Sequence, residues 1–206
     1  MTLKNALDIA TKPMWALGVL MGKRRTFGNI VGHLERGSSL RTLSEWIDSQ
    51  FDPAVTWADL DWIRSQWPGK LIIKGILDAD DARIAAGLGI DALVVSNHGG
   101  RQLDGAPSTI AVLPEIVAAV QGRCEVWFDG GVQCGQDMLR AIASGATACL
   151  IGKSFLYALA AMGGPGVTLA LNLIRRELEV TLALTGCTDI RQADASILRH
   201  PQRLAS

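Results

Sequence analysis

The chain has 206 residues, 49% of them hydrophobic and 19% charged, with 20 basic and 20 acidic side chains. That mixture excludes a disordered chain, and the size allows one domain with a sizeable core. Zero net charge argues against the basic surface that nucleic-acid binding needs, so no nucleic-acid partner is expected.

The charge is unevenly placed. Residues 1–41 carry Lys4, Lys12, Lys23, Arg24, Arg25, Arg36 and Arg41 against Asp8 and Glu35 only. A basic opening can face an anionic membrane or an acidic partner, or be a solvated surface. Leu3 to Ala10, Trp15 to Met21 and Leu40 to Asp48 read as short helices separated by glycines. Residues 1–50 are therefore expected to form a basic loop, lid or membrane-facing segment. No secretory signal is evident, and Asp8 makes a mitochondrial presequence a minor option.

From Thr56 the pattern becomes regular. Thr56 and Asp59 suit the start of a helix carrying Trp57, Leu60, Ile63 and Trp67, which Pro68-Gly69 stops. Leu71 to Ile73 is a short strand. Asp78 caps the next helix, Gly89 closes it, and Ala92 to Val95 is a second strand. Ser108 is placed to cap a helix through Val112, Ile116 and Val120. Glu125 to Phe128 is a third strand, Gln136 to Ser144 a helix, and Ala148 to Ile151 a fourth strand. Ser154 to Ile174 has no charged residue and is long enough to suggest a membrane span, but Gly163-Gly164-Pro165-Gly166 interrupts it. Two buried helical pieces joined by a turn are expected there. Residues 188–206 read as a tail.

This alternation predicts an α/β fold, with parallel strands joined by right-handed crossovers. Four strands are too few to close an eight-stranded barrel, so the choice is half of a TIM (β/α)8 barrel or a small open sheet. The four cysteines (Cys124, Cys134, Cys149, Cys187) lack Cys-x-x-Cys spacing. They read as reduced thiols of an intracellular protein, and no metal site is expected.

Every strand exit carries polar residues. They are Lys74, then Ser96, His98 and Arg101, then Asp129-Gly130-Gly131, then Gly152-Lys153. In parallel α/β proteins the C-terminal ends of the strands line the site. An imidazole there can take a proton near neutral pH, and a guanidinium can clamp a carboxylate through two parallel hydrogen bonds. The last two turns suit a phosphate at a helix N-terminus, although tight turns need glycine for backbone reasons too. A proton acceptor beside a carboxylate clamp points to chemistry on a small organic acid.

Lys74-Gly75-Ile76, Ser96-Asn97-His98-Gly99-Gly100-Arg101-Gln102-Leu103-Asp104 and Asp129-Gly130-Gly131-Val132 resemble the FMN-dependent α-hydroxy-acid dehydrogenases and oxidases, which act on lactate, mandelate or glycolate. The resemblance runs from about Phe51 to Cys187 and covers the C-terminal half of that family's barrel. Lys4-Asn5 and Pro13-Met14-Trp15 are similar to the loop after the family's fourth strand in its membrane-associated members. The resemblance implies FMN as cofactor and oxidation of an L-2-hydroxy acid to the 2-oxo acid. It implies that His98 takes the substrate proton and also contacts the substrate, that Arg101 binds its carboxylate, and that Lys74 sits at the pyrimidine end of the flavin. Ser96 is implied as an FMN contact. Asp129, Gly130, Gly131, Val132, Gln133, Gly152 and Lys153 are implied to hold the ribityl and phosphate groups. The family pattern has Arg in place of Gln133 and of Lys153, which implies altered phosphate binding.

Half a barrel leaves two open sheet edges. The chain is expected to pair with a missing N-terminal half or with another copy, and Met1 is expected to be an internal start. The expected location is cytoplasmic or peripheral on the inner membrane. Two other readings stay open: a non-catalytic half-barrel that binds a partner chain or a phosphate-containing ligand, and a Schiff-base aldolase using Lys74.

Overall fold

The computed structural model describes residues 2–22 and 40–198. The chain divides into two compact units, residues 1–56 and 57–206. In the first unit, α1 (Leu3–Ala10) and α2 (Pro13–Met21) form a helical pair, with Pro13 in the first turn of α2, where its missing N–H costs nothing. α3 spans Leu40–Ser49. The glycine-punctuated arm and the basic residues Lys23, Arg24, Arg25 and Arg36 lie outside the described residues.

The second unit opens with α4 (Trp57–Gln66) and then alternates β1 (Ile72–Ile76), α5 (Ala79–Gly87), β2 (Ala92–Ser96), α6 (Thr109–Val120), β3 (Glu125–Asp129), α7 (Gly135–Ala143), β4 (Ala148–Leu150) and α8 (Lys153–Thr185). The four strands are all parallel, in the order β1-β2-β3-β4. This is the expected α/β half-barrel, with β1 and β4 as open edges among the described residues.

The register separates two faces. Ile73, Leu93, Val95, Val126 and Phe128 point to one side and pack beneath α5 and α6 with Ala82, Ala85, Leu113 and Ile116, all in one apolar core. Successive side chains alternate, so Ile72, Lys74, Val94, Ser96, Trp127 and Asp129 share the other face. That second face corresponds to the interior of a closed barrel, and its members Ile72 and Lys74 are exposed.

Asp78 caps α5 as expected, accepting from the Asp80 and Asp81 N–H groups at 2.8 and 3.3 Å. Ser108 stands at the N-cap position of α6, but its side chain makes no capping hydrogen bond. The expected two helical pieces after β4 are present: α8 consists of two helices that meet at Gly163, whose backbone is not helical (φ 65°, ψ −150°). Only glycine adopts that backbone readily, and Pro165 supplies a preset φ just beyond it, so the helix resumes without a connecting loop. The expected burial of the two pieces does not hold: within α8 only Gly166 and Ile174 are buried. α8 packs along α7, and its Leu169, Leu171, Leu173, Val180 and Leu184 side chains are exposed. Its length and composition would suffice to cross a membrane. The tail makes two 3₁₀ turns, Ile190–Gln192 and Ala195–Ile197, both against α7. Residues 199–206 lie outside the described residues.

Candidate active site

The strand exits converge at the C-terminal rim of the open face. In β1 the register slips between Lys74↔Val94 and Ile76↔Val95, leaving Gly75 (φ 105°) as a bulge. A bulge twists its strand and re-aims the adjacent side chain. Lys74 Nζ donates to Ser96 Oγ at 2.9 Å and pairs with Asp129 Oδ2 at 2.9 Å. Ser96 and Asp129 are register partners on β2 and β3, and Ser96 Oγ donates to Asp129 Oδ2 at 2.6 Å.

Beyond β2 the chain enters a 3₁₀ turn, His98–Gly100. His98 has φ 56°, a left-handed backbone that costs a non-glycine residue on the order of 1 kcal/mol. Three contacts hold the turn. The His98 N–H donates to Ser96 Oγ at 3.1 Å, the Gly99 N–H to Asn97 Oδ1 at 3.0 Å, and the Gly100 N–H to the Asn97 carbonyl at 2.9 Å. Asn97 also donates through Nδ2 to the Pro107 carbonyl at 3.3 Å, so one side chain pins both ends of the loop. Thr109 Oγ1 donates to the Gly130 carbonyl at 3.4 Å. A Cβ at Gly130 would stand 2.8 Å from Thr109 Oγ1 and 3.1 Å from Asn97 Oδ1, so the two loops touch closely there. Ser154 Oγ donates to the Val132 carbonyl at 3.0 Å and joins the turns after β3 and β4.

These loops enclose a cleft of about 330 Å³ lined by Lys74, His98, Arg101, Asp129, Gly130, Gly131, Val132, Gln133, Gly152 and Lys153. Every residue selected from the sequence is in that lining except Ser96, which is buried beneath it. Leu150, Ile151 and Leu156 add apolar wall. Sequence reading did not select them, nor Asn97 and Thr109 as loop anchors. Leu150 and Ile151 could have been found as the last residues of a strand whose exit was already marked. Thr109 gives no local signal, because its partner Gly130 is 21 positions away. A larger cleft of about 510 Å³, between α6, α7 and α8, contains none of the selected residues.

Burial pushes the Asp129 carboxyl upward, but hydrogen bonds from Ser96 and Lys74 and the positive charge of Lys74 and His98 outweigh it, so Asp129 titrates below the ordinary carboxylate range. The ionised form is thus the one the fold favours. The stabilisation it gives is present above the unfolded value and is lost as pH falls through the lowered folded value. Cys149 behaves oppositely, its thiol pushed up to about 11 by burial alone, which leaves it inert near neutral pH. All four cysteines are free thiols.

The cleft brings the cations Lys74, Arg101 and Lys153 together with glycine turns and a helix start. Gly152, at the N-cap of α8, has φ −120°, so backbone strain does not demand glycine. Nothing lies within 4 Å of where its Cβ would stand. The open space there, ahead of the free N–H groups of a long helix, suits an anionic group. The side chain of Lys153 reaches toward the His98 turn, its Nζ 3.8 Å from where a Gly99 Cβ would be.

A parallel α/β half-barrel with an imidazole, a guanidinium and glycine turns at a helix start on its C-terminal rim defines a segment of a barrel-type α/β protein. The chain belongs to the FMN-dependent dehydrogenase family, whose model matches residues 1–200. It is similar to an L-lactate dehydrogenase of Caulobacter sp. (strain K31), 48% identical over 202 residues covering 98% of this chain and 53% of that protein. An L-lactate dehydrogenase of Pseudomonas syringae pv. syringae (strain B728a) is 48% identical over 95% of this chain and 52% of its own length. Among solved structures, a monotopic membrane protein, (S)-mandelate dehydrogenase, superposes with a TM-score of 0.88 at 37% identity, covering 97% of this chain and 52% of that one. A mandelate oxidase superposes with a TM-score of 0.70 at 42% identity, covering 76% and 45%. The chain spans about half the length of the curated relatives it matches.

Proposed function

We propose that this chain carries the proton-accepting, carboxylate-binding and phosphate-holding part of an FMN-dependent L-2-hydroxy-acid dehydrogenase of lactate or mandelate type, completed by a complementary half-barrel. The observation that carries the reading is the single cleft joining His98, Arg101 and Lys74 to the open glycine turns at Gly130, Gly131 and Gly152. FMN supplies the two-electron acceptor when bound. Gly152 and the start of α8, with Lys153 and Gln133, would hold its phosphate, and Lys74 would supply an ammonium to its ring. Lys74 there favours negative charge developing on a bound ring. Arg101 holds the substrate carboxylate through its planar fork and so orients the carbon that bears the hydroxyl. His98 receives the proton that the substrate releases as it becomes the 2-oxo acid. The loop anchors at Asn97 and Ser96 keep those two side chains on one rim.

The edges of β1 and β4, open among the described residues, and the exposed apolar side chains of α8 support a partner of matching architecture. The test is an absorbance spectrum of the chain mixed with the half of the Caulobacter relative that it does not span, after incubation with FMN and removal of free dye. Retained flavin that bleaches anaerobically with L-lactate or mandelate is the expected result. A mixture that retains no flavin refutes the reading.

The first unit supports a place at a membrane surface. α2 has no charged side chain, Met14 and Met21 are 82% and 73% exposed, and Trp15, Leu17 and Val19 are exposed as well. Lys23, Arg24 and Arg25 follow directly in sequence. An apolar helix flanked by basic residues sinks partway into an anionic interface. The chain is expected to sediment with anionic vesicles. The double variant M14E/L17E is expected to bind them at least about tenfold more weakly, from the lost burial of two large side chains. Equal partition of the two proteins would contradict the assignment.

A further inference from the structure

The cleft between α6, α7 and α8 lies outside the candidate active site and shares no lining residue with it. At about 510 Å³ it falls within the size range of small-molecule sites. Its walls are largely apolar. Ile110, Ala111 and Pro114 come from α6, Leu139 from α7, and Ile197 and Leu198 from the tail. Among the described residues Arg140 is the one charged side chain in the lining, and Gln136, Ser144, Thr181 and Thr185 add neutral polar groups.

Arg140 is held in a way that leaves it able to bind. Its Nη1 donates to Asp137 Oδ1, a turn earlier on α7, at 3.3 Å, a single contact rather than a two-bond fork. The other Asp137 oxygen accepts from the Gln133 and Cys134 N–H groups at 3.0 and 3.2 Å, so that carboxylate also serves the start of α7. The contact through Nη1 leaves the Nε–Nη2 edge of the guanidinium whole, and such an edge grips a carboxylate by two parallel bonds.

The lining narrows the ligand by its chemistry. It contains no carboxylate among the described residues, so an amino acid would leave its ammonium unpaired, and one guanidinium does not balance a polyanion. A bare small anion would leave the apolar walls wet. The end of the chain does not complement Arg140 either, since residues 199–206 carry Arg199 and Arg203 and no acidic side chain. We propose that this cleft is a second ligand site, for a monocarboxylate with an apolar body of the medium-chain fatty-acid type. Its carboxylate sits on Arg140 and its chain lies against Ile110, Pro114 and Leu198. Burial of apolar surface supplies the attraction, and the guanidinium fixes which end of the ligand faces α7.

The test titrates octanoate, and 1-octanol as its uncharged match, into the full chain, followed by calorimetry and by amide NMR shifts. Octanoate is expected to bind about ten- to hundredfold more tightly than octanol, the size of one hydrogen-bonded contact to a charged group. Its shifts are expected at Arg140, Ser144, Thr181 and Ile197. Arg140→Gln is expected to bring octanoate down to the affinity of octanol. Ala111→Phe, which fills the cleft from an exposed position on α6, is expected to weaken both probes. If Arg140→Gln does not fold, Ala111→Phe and the shifts of the parent chain decide the matter. Equal affinity of the two probes, or unchanged octanoate binding in Arg140→Gln, would overturn the proposal. So would shifts away from the cleft, whether along α2 or at Lys74, His98 and Arg101, where the carboxylate would occupy the active site instead. Binding that appears only after residues 199–206 are deleted would overturn it too, by making the cleft a seat for the end of the chain. No flavin is present in these titrations, so failure of the complemented enzyme to retain FMN counts against the proposed function alone.

Discussion

Replacing His98 with Asn is expected to lower turnover of L-lactate or mandelate by about 10²- to 10⁴-fold in the complemented enzyme, the range for loss of a positioned general base. Flavin retention is expected to be unchanged. The choice of Asn matters. His98 sits at φ 56°, where Asn is among the few tolerated non-glycine residues, whereas Ala would add backbone strain to the loss of the base. The loop is tied to Ser96 through the His98 backbone N–H and not through its ring, so removing the imidazole leaves the tether. Asn97 continues to hold both ends of the loop through Gly99 and Pro107, which keeps Arg101 on the rim. The loss should therefore fall on kcat, with KM little affected, because substrate binding through the Arg101 guanidinium does not depend on the imidazole. Steady-state rates with a dye acceptor, measured beside the flavin spectrum of the same sample, decide the matter. A variant within threefold of the parent in kcat would remove His98 from the role of base.

Much of this arrangement is legible from the chain alone, for physical reasons that differ by element. β2 is a run of apolar residues bounded by turn signals, and all five of its residues are buried, so its existence and its exit were both readable. The polar residues at successive exits could be placed on one rim because parallel strands with right-handed crossovers leave no other arrangement. α8 shows where this reasoning stops. Its apolar composition implied burial, yet exposed side chains such as Leu169, Leu173, Val180 and Leu184 run along it. Composition reports what a helix can bury against, and four strands do not provide it. Contacts set by approach distance were equally silent. Thr109 against Gly130 and Asn97 against Pro107 join positions distant in sequence, with no periodicity to mark them. The neighbours of Ser96 were likewise silent in the sequence, where only its place at a strand exit could be read. The register puts it opposite Asp129, with Lys74 beside it at the bulge at Gly75.

Gly135 carries the largest expected effect on stability. It is the first residue of α7, and a Cβ there would stand 2.0 Å from the Leu178 nitrogen and 2.6 Å from the Glu177 carbonyl carbon and the Leu178 Cα. All three are backbone atoms in the middle of α8, which no rotamer change can move aside. The Gly135 N–H also donates to Glu177 Oε2 at 3.1 Å, so the same contact supplies a carboxylate at the N-terminus of α7. Gly135→Ala must push the two helices apart, loosening the packing around Leu139 and Ile174 and stretching that hydrogen bond. A cost of about 3 kcal/mol is expected, at the upper end for overpacking because the obstacle is rigid. For a chain of this size that corresponds to a fall in Tm of about 6–12 °C. In urea the midpoint should drop while the slope stays constant, since the surface exposed on unfolding is unchanged. Gly152→Ala is the matching control. Its Cβ meets nothing within 4 Å, so stability should stay within about 0.5 kcal/mol of the parent, while the methyl projects into the space assigned to phosphate and weakens FMN retention. Equal midpoints for Gly135→Ala and the parent would mean that α7 and α8 are not in the close contact described. A destabilised Gly152→Ala would mean that the glycine at the start of α8 serves the fold and not an anion.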